Sequence, residues 1–107
     1  MKATDFIADL IFLTSEKGGR TLPAYSKYRP HLEFDKYPPH MTSTQQVYID
    51  KDVVFPGDEV KAEMTMISSD LYIGKLQIGD TFKFSEGARL IGHGTITKIC
   101  NKELIKK

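Results

Sequence analysis

The stretch "SEGARLIGHGTITKI", residues 85–99, decides the fold class, because its three glycines admit two incompatible readings. The step from Gly87 to Gly92, followed by His93 and Gly94, imitates the frame of a phosphate-binding loop, which would join a strand to a helix in an α/β protein. Such a loop needs a lysine to reach the phosphates and a serine or threonine for magnesium. His93 and Gly94 stand in those places, and the "TITKI" that follows is β-branched and alternating. The stretch therefore reads as a hairpin: "FKFS" ascends, "EGAR" turns, and "LIGHGTITKI" descends, with Gly87 free to take a positive φ.

Working outward, the rest of the chain shows the same two-residue period and almost no helical one. In "EVKAEMTMI", Val60, Ala62, Met64 and Met66 alternate with Lys61, Glu63 and Thr65, the pattern of one buried and one wet face. "YRPHLEFD" sets Leu32 and Phe34 against His31 and Glu33, and "STQQVYID" sets Val47 and Ile49 against Gln46 and Tyr48. "FIADLIFL" reads as a first strand buried on both faces. Proline, glycine and aspartate mark turns between these runs. Five or six strands so separated make a sandwich or a closed barrel, and closure removes exposed edges. The tail "NKELIKK" has room for one helical turn.

Composition bounds the function. The 107 residues suit a single domain, 1–107, able to bury one core without staples. A net charge of +1 gives no general pull toward nucleic acid or an acidic membrane, so any RNA contact needs a local patch. The lone cysteine, Cys100, excludes an internal disulfide and suits a reducing compartment, with the cytoplasm as the expected location. No apolar run is long enough to span a bilayer as a helix, and no membrane partner is expected. His31, His40 and His93 are scattered without metal-ligand spacing. Cys100 has lysines nearby but no base or oxyanion site that spacing recommends, so no catalytic residue, cofactor or metal is assigned and an enzyme is not expected. Met1 and the lysine-rich end suit either a complete small protein or a domain of a longer one.

Taken together, "GGRTLPAYSKYRPHLEF", "VVFPGDEV" and "EGARLIGHGTITKI" resemble the third, C-terminal domain of translation elongation factor Tu, in order and at near-matching separations from about Asp5 to Ile99. The resemblance implies an all-β fold, a six-stranded antiparallel closed β-barrel, with a longer loop between Ile67 and Phe82, where "LYIGKLQIGD" suggests an extra short hairpin. It also implies a non-catalytic module of the translation machinery. In the parent factor this domain helps grip aminoacyl-tRNA, packs against the GTPase domain and meets the nucleotide exchange factor. Neither the GTPase domain nor the second barrel lies in this sequence, so no GTP binding is expected of it.

The resemblance points to two sets of residues. The family's tRNA-facing segment falls on Arg20, Thr21, Pro23, Tyr25 and Lys27 as candidate RNA-binding residues. Where the family typically shows histidine, threonine, proline and two aromatics, this chain has Thr21, Leu22, Pro23, Ala24 and Tyr25. Leucine offers no hydrogen bond to a phosphate or a ribose hydroxyl. Arg20, Lys17, Lys27 and Arg29 near Tyr25 and Tyr28 form either a modest RNA patch or solvated charges beside a barrel rim. The family's seam to the GTPase domain falls on Gly18, Gly19, Arg20, Glu86, Gly87 and Arg89, candidate partner-binding residues. These have a plain structural alternative, tight turns and an ion pair of Arg20 or Arg89 with Glu86. The expected partner is a translation-related protein or a tRNA. The alternative is a protein-interaction or decoy module, of an immunity type, that mimics the factor without binding RNA.

Overall fold

The computed structural model describes residues 3–107. Six strands close into one antiparallel barrel: β1 (Phe6–Phe12), β3 (His31–Phe34), β4 (Thr42–Tyr48), β6 (Glu59–Met66), β7 (Thr81–Glu86) and β8 (Arg89–Ile99). Around the barrel they run β1, β6, β4, β3, β7, β8. Two further strands, β2 (Ala24–Tyr25) and β5 (Val53–Val54), pair with each other beside one end.

The opening stretch is the β7–β8 hairpin, and its glycines divide into two jobs. Gly87 sits at the first position of the two-residue turn between Glu86 and Arg89 with φ +57°, where a primed hairpin turn calls for glycine. Gly92 and Gly94 lie on the inner face of β8, opposite Phe84 and Phe82. A Cβ on Gly94 would come within 2.3 Å of the Phe82 ring, and one on Gly92 within 2.5 Å of the Phe84 ring. Those glycines are the space the two phenylalanine rings occupy. Phe82 meets Phe6 and Phe34 at centroid distances of 5.8 and 5.9 Å, and Phe84 meets Phe12 edge-on at 5.1 Å, so three strands contribute rings to one aromatic core.

The alternation in β6 is realised as read, with Val60, Ala62, Met64 and Met66 inside, and so is the inward pair Leu32 and Phe34 of β3. The first strand differs from the expectation. Only Phe6, Ala8, Leu10 and Phe12 are buried, while Asp9 is exposed and Ile11 is 50% exposed. A barrel has a single interior, and among the described residues Asp9 and Ile11 are left uncovered on the outside of β1.

In β4 the period is right and the phase is inverted: Thr42, Thr44, Gln46 and Tyr48 point inward, leaving Val47 half-buried and Ile49 exposed. Hydrogen bonds satisfy most of this inward polar row, the buried Gln46 Nε2 alone among its described side-chain atoms having no partner. The Tyr48 hydroxyl donates to Gln46 Oε1 at 2.9 Å, and the Thr44 hydroxyl donates to the Pro30 carbonyl at 3.3 Å. Tyr48 also packs edge-on against Phe12, so its ring is worth burying although its hydroxyl needs a partner.

The loop between β6 and β7 holds no hairpin. It forms a 3-10 turn, Ser69–Tyr72, then an extended segment whose Leu76 pairs in parallel with Ile105 of the tail. Gly74 and Leu76 donate backbone hydrogen bonds to Glu103 and Leu104, and Lys106 donates to Leu76. The tail supplies the partner that a hairpin would otherwise have to find within the loop, and Leu76 and Leu104 are fully buried as a result. The expected tail turn is present as Lys102–Leu104.

Gly94→Ala is expected to destabilise the fold by about 1–3 kcal/mol, the usual range for forcing extra volume into a packed core. Urea unfolding measures this; an unchanged midpoint would mean that the Phe82 ring has room to withdraw.

Candidate partner-binding site

The residues singled out from the sequence gather at one end of the barrel, where β1, β4 and β7 finish and β3, β6 and β8 begin. The loop leaving β1 is shaped by Thr14, whose hydroxyl accepts the Lys17 amide and caps the turn Ser15–Lys17. Gly18 follows at φ +94°. At Gly19 a Cβ would lie 2.5 Å from the Leu13 carbonyl oxygen, so no larger residue fits. The two glycines thereby turn Arg20 back across the barrel mouth.

Arg20 commits three of its five N–H donors there. Its Nη1 pairs with the Glu86 carboxylate, Nε donates to the Leu22 carbonyl at 3.1 Å, and Nη2 donates to the Pro23 carbonyl at 3.2 Å. The guanidinium lies 4.8 Å from the centre of the Tyr28 ring, and the Tyr28 hydroxyl donates to Glu86 Oε2 at 2.6 Å. Burial works against the charge of Arg20, but Tyr28 and Glu86 outweigh it and hold its pKa above the ordinary value. Burial, and then donation to the Glu86 carboxylate, push the Tyr28 phenol well above its usual value despite the opposing pull of Arg20.

Arg20 and Glu86 therefore form a clamp that holds residues 20–23 against the β7–β8 turn, with Tyr28 as its third member. Of the two arginines weighed for Glu86, Arg20 takes it. Arg89 is exposed and, among the described residues, has no carboxylate partner. Gly18 and Gly87 are exposed turn residues, and Gly19 is buried.

Of the candidate RNA contacts, Arg20 keeps only its second Nη1 and Nη2 protons outside the clamp. The Pro23 carbonyl is likewise occupied. Thr21 and Lys27 are exposed, and Tyr25 is 64% exposed. Lys27 has the unusual φ of +80° for a residue with a side chain, in a turn closed by the Tyr28 amide donating to the Tyr25 carbonyl. Its own amide donates to the Gln46 carbonyl at 2.7 Å, which fixes that conformation.

Beside the clamp, β2 pairs with β5, setting Tyr25 opposite Val53. Phe55, directly after β5, is 54% exposed, and Leu22, within the clamped segment, is 68% exposed. Sequence reasoning missed Phe55; its signal was an aromatic placed immediately before the Pro56–Gly57 turn, where no core position was needed.

The site thus consists of a braced rim bearing exposed apolar side chains on a closed barrel. The family model described as the elongation factor Tu C-terminal domain matches residues 1–100. The chain belongs to that family of translation-factor domains, whose characteristic form is a non-catalytic β-barrel. No helix among the described residues is long and apolar enough to cross a membrane.

Glu86→Ala is expected to cost about 1–2 kcal/mol, because both Arg20 and Tyr28 lose their shared acceptor while partial exposure screens the ion pair. Chemical denaturation with and without added salt reads this loss, which should be smaller at high salt. Tyr28 and Tyr48 both hold their phenolic protons more tightly when folded. Their contribution to stability is complete below the unfolded tyrosine value, about pH 10, and is lost as the pH rises toward the folded values. The thermal midpoint should accordingly fall above about pH 10, with a shallower fall in Tyr28→Phe.

Proposed function

We propose that this chain is a non-catalytic binding module of the translation machinery, acting as one barrel unit in the cytoplasm and engaging a translation-related protein through the clamped end of the barrel. The observation that carries the reading is the pairing of a rigid clamp, Arg20 with Glu86 and Tyr28, with exposed Leu22, Tyr25 and Phe55 beside it. A braced backbone lowers the ordering cost of docking, and large apolar side chains supply contact area. The family membership supports the translation context. Gly18, Gly19, Glu86, Gly87 and Arg89 contribute by shaping and flanking this rim.

A tRNA contact at the same end is the second reading, favoured by the adjacency of exposed Tyr25 and Lys27 on one turn, with Thr21 and Pro23 at its edge. The engagement of Arg20 within the protein and the exposed Leu22 favour protein over RNA. The same two features favour a decoy that mimics the factor without RNA, if the protein partner proves to be an antagonist of that factor.

Affinity capture from lysate, with and without ribonuclease, separates these readings. A translation-related protein should be recovered in both conditions, and Tyr25→Ala with Phe55→Ala should reduce its recovery about tenfold, as loss of a central aromatic anchor does. Recovery of tRNA, with proteins lost after ribonuclease, would transfer the function to RNA. Capture of no translation component would overturn the proposal.

A further inference from the structure

The outer wall of the barrel carries a slot of about 300 Å³ whose lining includes Arg29, Ser43, Gln45, Thr65, Met66 and Ile67. Backbone pairing sets these residues in two adjacent rows. The Tyr28 and Pro30 carbonyls accept the Gln46 and Thr44 amides, so Arg29, between them, stands beside Gln45, and Gln45 is paired in turn with Thr65 of β6. In the next row the Ile67 amide donates to the Ser43 carbonyl at 2.9 Å. Thr44, Gln46, Met64 and Met66 fill the interior, so Ser43, Gln45 and Thr65 face outward and make the floor. Arg29 flanks that floor on the β3 side, and Ile67, 71% exposed, flanks it on the β6 side.

The polar groups of the slot are left underused by the protein. Arg29 spends one donor, Nη2 to Gln45 Oε1 at 3.2 Å, and among the described residues no carboxylate lies within ion-pair distance of it. Arg20, Lys36, Lys61 and Lys83, in contrast, each have a carboxylate partner. With its oxygen turned to Arg29, Gln45 keeps Nε2 as a free donor. The hydroxyls of Ser43 and Thr65 have no hydrogen-bond partner among the described residues. Glu63 lies two residues along the same face of β6, opposite Val47, where it accepts the Thr4 hydroxyl at 3.1 Å; it does not line the slot.

We propose that this slot binds a small carboxylic acid with an apolar body. The planar guanidinium of Arg29 matches the two oxygens of a carboxylate, and Ser43, Gln45 and Thr65 add donors from the floor. The apolar body lies against Ile67 and the Thr65 methyl group. The donor set selects this ligand class. A cation would meet the unpaired charge of Arg29, and a bare inorganic anion would leave the apolar side of the slot unfilled. A nucleic-acid strand calls for a succession of cations, whereas Arg29 is the one cation in this lining. The volume stands at the lower end of small-molecule sites, which suits a single ring or a short chain. The inference is independent of the clamped end and of the partner proposed there.

The test is a titration of the whole protein with 3-phenylpropionate, followed by the amide signals in proton–nitrogen correlation spectra. Saturable shifts are expected at Ser43, Gln45, Thr65 and Ile67. Arg29→Gln should weaken the apparent affinity about tenfold, as loss of a charge-assisted hydrogen-bond pair does. The neutral amide 3-phenylpropanamide should bind the unaltered protein more weakly by a similar factor, a comparison that needs no variant to fold. Tyr25→Ala should leave the binding of 3-phenylpropionate unchanged.

Absence of saturable shifts at these four residues would overturn the proposal, as would equal binding of the acid and its amide or equal binding to Arg29→Gln. Inorganic phosphate that shifts the same amides with equal affinity would reduce the slot to a generic anion contact and overturn it. A random single-stranded RNA pool that displaces the acid and depends on Arg29 would assign the slot to nucleic acid and overturn it equally.

Discussion

The architecture depends on the fit of two phenylalanine rings over two glycines. Phe82 and Phe84 project from β7 into the barrel at the points where Gly94 and Gly92 leave β8 without side chains. A closed barrel of this size must fill its interior with side chains, and alternating large and small residues is how facing strands share it. Gly92 would meet the Ile11 carbonyl oxygen as well if it carried a Cβ, so the approach of β1 to β8 rests on the same residue. A sequence that looks like a phosphate loop is in this way a record of ring positions.

Closure has a consequence for recognition. Every barrel strand is paired on both sides, so the barrel itself offers no edge for another chain to extend. The outer wall, apart from Ile11 and Val47, is largely polar and carries ion pairs such as Lys61 with Asp9 at 2.7 Å and Lys83 with Glu33 at 3.7 Å. Pairs so exposed add little stability and offer little purchase to a partner. Apart from the slot beside Arg29, distinctive chemistry is left to the two ends, and each end has its own brace. At one, Arg20 gives up its hydrogen bonds to Glu86 and to its own loop; at the other, the tail closes on the loop after β6.

The alternation in β3 and β6 was legible because apolar and charged residues occupy opposite faces there, and the ordered motifs made the barrel legible as well. In β4 they misled: Val47 and Ile49 look like the inner row, yet Tyr48 fills more of the interior, and its hydroxyl finds Gln46 next to it on the same face. That choice depends on what β1 offers across the barrel, chiefly Phe12, and no local pattern contains it. The clamp was half legible, since Arg20 and Glu86 stood in recognisable motifs whereas the contribution of Tyr28 needs three segments brought together. The packing of the tail on the β6–β7 loop was not legible at all, because its pairing is parallel and long-range.

Asp5 shows why that tail is more than an appendage. Its carboxylate accepts the Met66 amide at 2.7 Å and the Asn101 side-chain amide at 3.2 Å, and its backbone carbonyl accepts the amides of Cys100 and Asn101. One buried residue at the entry to β1 therefore joins the end of β6 to the exit of β8. From that junction the tail turns over the β6–β7 loop, burying Leu104 beside Leu76 and holding the backbone that carries Lys75. A loop this long would otherwise have to order itself on its own contacts, at an entropic cost borne by each residue. With the tail as its partner strand, the same loop becomes a fixed wall, and the exposed side chains on it acquire defined positions relative to Tyr37 and the barrel core.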